Sequence, residues 1–327
     1  MPKVSVIIPV YHVAAFIRRN VRALMEQSLE DVEFIFVDDA SPDNSVDIIK
    51  EELENHPQRK ACVTILRHSH NKGLPAARNT GMAAASGDYI YHCDSDDYPE
   101  SDMLQKMYDA IVATNADIAY CDFFLSFEKK ERYMGCPTYE TAEELLKRGF
   151  LGGMMKYNVW NKLARRSLYT DHGIDFPEGH PMGEDMTMIQ VAAVANTVSH
   201  VPEALYHYVK LNEGAYSSSY SQKKLDDIRY NVDRTITFLH DKFGNILEKE
   251  LAFFKLSIKL PFIITDDKQM YQLWEKWYPE ANPYADANTD LPRRTRWLQR
   301  MAAKGQWWYV RLYYRIIYKF IYGTLYR

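Results

Sequence analysis

Asp94, Asp96 and Asp97 place three carboxylates within four residues, directly after the apolar run that ends at Cys93. Like charges this close repel, so a strand end rarely carries them without something positive to hold. Side chains that offer only oxygen suit a hard divalent cation, Mg²⁺ or Mn²⁺, which also grips phosphate oxygens. The competing reading is an acidic turn that caps the helix beginning near Pro99. Taken alone, the spacing favours the cap. A second acidic pair, Glu184-Asp185, precedes the helical run Met186, Met188, Ile189, Ala192 and Ala193. It too reads first as a helix start, since acids there complement the helix dipole.

Other polar residues follow the early strands. The first strand leads into Pro9-Val10-Tyr11-His12, and the second into Asp38-Asp39-Ala40-Ser41-Pro42-Asp43. Carboxylates such as Asp38 and Asp39 accept hydrogen bonds from a base N–H or a ribose hydroxyl. Ser41 and Asp43 read as caps of the next helix. The third strand leads to a small-residue helix carrying Arg78 near its start. There a fixed cation and a helix dipole both favour a nucleotide diphosphate, although a surface Arg accounts for the residue equally well. No G-x-G-x-x-G and no G-x-x-x-x-G-K-[ST] follows any strand, which disfavours dinucleotide and P-loop sites.

The elements that must position these residues alternate. Strands are expected at Val4 to Val10, Val32 to Val37, Ala61 to Leu66, Asp88 to Cys93 and Asp117 to Phe124. Between them lie helices with stripes such as Val13, Phe16, Ile17, Val21, Leu24 and Met25. The alternation predicts a mostly parallel, doubly wound α/β sheet, whose ligands bind beyond the carboxyl ends of the strands. Thr141 to Arg148 and Glu184 to Ala195 read as helices, and the chain is helical almost throughout after residue 221. The pattern divides into an α/β domain over 1–220, with halves over 1–115 and 116–220, and a helical region over 221–327.

At 327 residues, 26% charged and 46% hydrophobic, the composition is that of a globular protein with ample core. Four scattered cysteines without C-x-x-C spacing argue against a zinc site or disulfide framework and for a reducing compartment. The chain enters a strand at once and has no apolar run of about 18 residues, so a cytoplasmic location is expected. Charge is uneven: from Pro292 to Arg327 there are nine Lys or Arg and no Asp or Glu, against 31 basic and 44 acidic residues elsewhere. An acidic body whose only net positive stretch is one tail argues against nucleic acid as a partner. On a helix, Arg311, Arg315 and Lys319 form one stripe, with Tyr309, Leu312, Tyr313, Ile316, Ile317 and Phe320 covering the other side. This predicts a tail (292–327) lying on an anionic membrane surface, with a helix packed on the protein as the alternative.

The ordered series VSVIIPVYH, VDDASPDNS, NKGLPAARNTG and GDYIYHCDSDDY resembles family 2 glycosyltransferases of the GT-A fold. The likeness resumes at Val159-Trp160-Asn161-Lys162-Leu163 and at Gly183-Glu184-Asp185. His12 stands where this family usually has Asn. The resemblance implies an inverting, metal-dependent transfer of one sugar from a nucleotide-diphosphate donor, with UDP the expected nucleotide. The acceptor implied is a glycan or a polyprenyl-diphosphate-linked oligosaccharide of bacterial surface polysaccharide, used at the inner face of the membrane. Pro9, Tyr11, Asp38, Asp39, Arg78, Asp94 and Ser95 would contact the donor. Asp94 and Asp96 would hold Mn²⁺ or Mg²⁺, and Asp185 would be the general base. Asp97, Trp160, Glu184 and His207 would line the acceptor or support these groups, although Trp160 and His207 also read as interior residues. A catalytically degenerate nucleotide-sugar-binding or scaffold domain is the alternative.

Overall fold

The computed structural model describes residues 2–210 and 221–325. The chain divides into two compact units, residues 1–143 with 157–235, and residues 144–156 with 236–327. The expected boundary at residue 220 lies outside the described residues.

The first unit is built on one sheet. Its strands are β1 (Val4–Val10), β2 (Val32–Asp38), β3 (Val63–Arg67), β4 (Tyr89–His92), β5 (Tyr98–Pro99), β6 (Ile118–Ser126), β7 (Glu131–Met134), β8 (Lys162–Arg165) and β9 (Val198–Val209). They lie in the order β3-β2-β1-β4-β8-β6-β9-β5, with β7 beside β6. All seven residues of β1 are buried, because helices cover both faces of a parallel strand. It pairs in parallel with β2, Val4 opposite Val32, and with β4, Val4 opposite Tyr89. The expected GT-A arrangement is present, with antiparallel pairing in its second half: β8 is antiparallel to both β4 and β6, β7 to β6, and β5 to β9. β6 and β9 then resume parallel pairing, with a register shift at Asp122.

Helices α1 (Ile17–Met25), α2 (Ser45–Glu54), α3 (Leu74–Ala84) and α4 (Met103–Thr114) follow β1, β2, β3 and β5. Helix α3 lies unusually close to β1. A Cβ on Gly81 would stand 2.4 Å from Cγ2 of Ile7, so only glycine permits this approach. Arg78 sits one turn before Gly81 on the same face, and the approach carries its guanidinium inward. Helix α5 (Ala142–Glu144) continues as a π-helix over Leu145–Leu151. The short α6 (Ser167–Thr170) follows β8. The helix expected from Glu184 begins as a 3₁₀ turn (Glu184–Met186), after Gly183 at φ 89°, and continues as α7 (Thr187–Val194).

The region after residue 221 is helical as expected: α8 (Gln222–Phe243), α9 (Glu248–Lys259), α10 (Lys268–Lys276), α11 (Arg293–Ala303) and α12 (Trp307–Tyr313), which continues as a π-helix over Tyr314–Leu325. Among the described residues, no helix is long and apolar enough to cross a membrane. In the terminal helix Lys319, still exposed, pairs with Asp266 at 3.2 Å, and Arg311 bonds the Tyr271 hydroxyl; both partners belong to the same unit.

Candidate active site

The carboxyl ends of β1, β2 and β4 deliver most of the residues singled out by sequence. Pro9 is buried within β1 opposite Val37, and Tyr11 is 48% exposed just beyond the strand. Asp38 and Asp39 are both buried. Asp38 accepts the Ser41 amide at 2.8 Å and pairs with Arg67 at 3.1 Å. Asp39 Oδ1 accepts the Lys72 amide at 2.8 Å and meets His68 Nδ1 at 2.6 Å; its Oδ2 accepts the Gly73 amide at 2.8 Å. A carboxylate has about four lone-pair positions. Asp39 therefore clamps the entry to α3 and retains one position on Oδ2.

The densest charge cluster lies between α3, the turn after β4 and the turn before α7. Arg78 is 1% exposed and donates from Nη2 to Asp94 Oδ1 at 2.9 Å, with Glu184 Oε1 at 4.0 Å. Its remaining donors, Nε and Nη1, have no hydrogen-bond partner among the described residues. Burial opposes its charge, but Asp94, Asp185 and Glu184 outweigh burial and hold the guanidinium ionised. The Asp185 Oδ1 atom is likewise buried without a partner. Burial pushes both carboxyls of the acidic pair up. Glu184 rises to about 8, helped by the charge of Asp185, and Asp185 to about 6; Arg78 opposes both shifts.

In the turn after β4, Asp94 and Asp96 are half-buried and Ser95 is buried. Asp97 turns away from them: Oδ1 accepts the Val209 amide at 2.7 Å and Oδ2 the Tyr206 hydroxyl at 2.8 Å. Burial and the charges of Asp96 and Asp94 push its carboxyl well above the usual range. It pins the turn to β9. Among the described residues, no group of three or more His, Cys, Asp or Glu could hold a metal by itself. The two acceptor-only carboxylates Asp94 and Asp96 nonetheless fit a hard cation that takes its other ligands from phosphate and water.

Trp160 is 4% exposed, stacked on Tyr206 at 4.6 Å and edge-on to Phe123 at 4.8 Å, so it occupies the core. His207 also takes the interior role. Its ring nitrogens lie 2.8 Å from Glu131 and 2.8 Å from Glu100, and the ring stacks on Tyr98.

Three supporting residues escaped the sequence reading. Asn20 Nδ2 donates to the carbonyls of Asp94 and Asp97, both at 3.0 Å, and so shapes the acidic turn. Its signal was a polar residue within the buried stripe of α1. Lys162 is buried in β8 and lowers the Asp185 carboxyl; burial pushes its own ammonium down to about 8. A cation in an apolar strand was the available signal. His92 is buried with both nitrogens unpartnered among the described residues, and burial and the Arg78 charge push it well below the usual range. A neutral ring is what a neighbouring guanidinium tolerates.

Residues 5–180 match the sequence profile described as "Glycosyl transferase family 2". EpsH of Bacillus subtilis is 31% identical over 77% of this chain and 74% of its own length. The crystal structure of S. aureus TarS 1-349 in complex with UDP-GlcNAc superposes with a TM-score of 0.69 at 22% identity, covering 96% of this chain and 92% of that one. The mannosyltransferase PcManGT from Pyrobaculum calidifontis, solved with GDP-Man and Mn²⁺, gives a TM-score of 0.54 at 15% identity, covering 96% of this chain and 87% of that one.

Proposed function

The chain belongs to glycosyl transferase family 2 and is a glycosyltransferase with the GT-A fold; from that premise we propose the following reaction. One sugar passes, with inversion, from a nucleotide-diphosphate donor to a hydroxyl of a glycan or polyprenyl-diphosphate-linked acceptor in bacterial surface polysaccharide synthesis. A lipid-linked acceptor places the reaction at the inner face of the cell membrane. The complex of the S. aureus neighbour supports UDP as the donor nucleotide.

One observation carries this reading: a buried guanidinium with two idle donors stands among Asp94, Glu184 and Asp185. A buried cation whose N–H groups lack partners is costly until something completes them. A diphosphate does so, and its charge grows as the bond to the sugar breaks, so Arg78 holds the transition state more strongly than the bound donor.

The proton is handled by the acidic pair. Burial raises both carboxyls, Glu184 the further because Asp185 repels it, so the pair shares one proton at neutral pH and Asp185 is the member that ionises first. Asp185 takes the acceptor hydroxyl's proton as that oxygen bonds to the anomeric carbon, and the bonding pair of the departing C–O bond leaves with the diphosphate. A single base and a single displacement invert the anomeric centre. Asp39 reads the nucleobase through its remaining Oδ2 position, with Asp38, Pro9, Tyr11 and Ser95 beside it. A divalent cation, Mn²⁺ or Mg²⁺, held by Asp96 and Asp94 with the donor phosphates, would supply further neutralisation of the leaving group.

Calorimetric titration with UDP, GDP and dTDP, with and without Mn²⁺, tests the reading. The expected result is metal-dependent binding of UDP that Asp96→Ala abolishes. Binding of none of them would favour a degenerate scaffold domain instead.

A further inference from the structure

The C-terminal helix is docked by one side and presents a continuous apolar stripe on another. Trp308, Leu312, Ile316 and Phe320 recur every four residues and are 67, 47, 47 and 59% exposed. In an α-helix a residue four places on overshoots one turn by about 40°. The wider π-turn after Tyr313 takes that angle back, so the four side chains stay aligned. The inward side is occupied. Val310 is buried, Trp307 stacks on Tyr271 with ring centroids 4.9 Å apart, and Lys319 reaches Asp266. Four large apolar side chains in one row facing water are more than the scattered exposure of an ordinary surface.

Charge names what covers them. The segment from Pro292 to Arg327 holds nine Lys or Arg and no acid, and Arg293, Arg294, Lys304 and Arg315 are exposed. A second copy seated on this face would bring the same cations together across a two-fold axis. The stripe is one side chain wide on a convex helix, begins with Trp, and belongs to a segment with exposed cations and no acid. That is the form of a helix lying in the headgroup layer of an anionic bilayer.

We propose that this face is a membrane-docking surface, with Trp308, Leu312, Ile316 and Phe320 entering the acyl boundary and Arg315, Lys304, Arg293 and Arg294 meeting anionic headgroups. The surface shares no residue with the candidate active site, so it is tested separately from nucleotide binding. The full chain is sedimented with phosphatidylcholine vesicles, with and without phosphatidylglycerol, at physiological salt. Binding is expected only with phosphatidylglycerol. The triple variant Leu312→Ser, Ile316→Ser, Phe320→Ser should partition about tenfold less or worse, with unchanged thermal unfolding and UDP affinity. Combining Arg293→Gln, Arg294→Gln and Arg315→Gln should weaken binding and flatten its salt dependence. Three results overturn the proposal: no binding of the wild-type chain to anionic vesicles, equal binding by the apolar triple variant, or a dimer in light scattering that this variant dissociates.

Discussion

Two acidic clusters sit at strand ends in the same unit, and they are treated in opposite ways. After β2, every carboxylate oxygen of Asp38, Asp39 and Asp43 has at least one partner. Asp43 accepts from Ser41 Oγ at 2.7 Å, from the Ser45 amide at 3.1 Å and from the Ala14 amide at 2.9 Å. Burial pushes its carboxyl up, but the bonds from Ser45, Ser41 and Ala14 prevail and hold it down to about 2. Around Arg78, by contrast, Asp185 Oδ1 and two guanidinium nitrogens are unpartnered, and burial pushes Glu184 and Asp185 up. Carboxylates whose native bonds favour the ionised form stabilise the fold. Those that burial disfavours weaken it, and are retained where chemistry needs a group of shifted pKa. The first cluster shapes a loop, and under the proposed reaction the second is the one that a donor and acceptor complete.

Substitutions can break this contrast. The largest effect should come from Asp185→Asn, with kcat falling by about 10²–10⁴-fold while UDP affinity stays within about twofold. In the wild type, kcat/KM should rise as pH climbs through about 6, following release of the Asp185 proton. If donor binding collapses together with turnover, Asp185 is a structural residue and the two clusters are alike.

Next in size, Asp39→Ala strands the amides of Lys72 and Gly73 and the buried His68. It should cost about 2–4 kcal/mol in urea unfolding, from several buried groups left unpaired at once. An unchanged midpoint would remove Asp39 from the stabilising cluster.

Smallest, and of opposite sign, is Glu184→Gln. The folded carboxyl is raised above its ordinary 4.5 to about 8, so the native state keeps a proton that the unfolded chain releases. The stability that Glu184 contributes is then fully present below pH 4.5 and is lost as pH climbs toward about 8. The variant has no such loss. It should match the wild type in acid and exceed it by about 1–3 kcal/mol near pH 8 in parallel melts. Destabilisation at pH 8 would show that Glu184 is stabilised as an anion, like Asp43.

Part of the first cluster was legible along the chain: Asp38 accepts the Ser41 amide three residues on and Asp43 the Ser45 amide two residues on, and turn chemistry of that kind is written in short windows. The rest was not, because Asp39 takes its partners at positions 68, 72 and 73, and Ser41 bonds Asp43 and the His12 amide rather than capping α2. Helix α1 was equally legible as an apolar stripe, but Asn20 within it was not, because its partners lie at positions 94 and 97. Trp160 and His207 show the same limit. Their types suited either a ligand or a core, and the choice rested on Tyr206, Glu100 and Glu131.

Strand and helix periodicity, the ordered motifs and the acid-free tail are properties of neighbouring residues, so the sequence alone determined the α/β class, the family and the uneven charge. Which carboxylates ionise, which donors stay idle and which side of the tail faces outward depend on segments far apart in the chain. Burial and the distance to an opposite charge set those outcomes, and both exist only once the tertiary structure has formed.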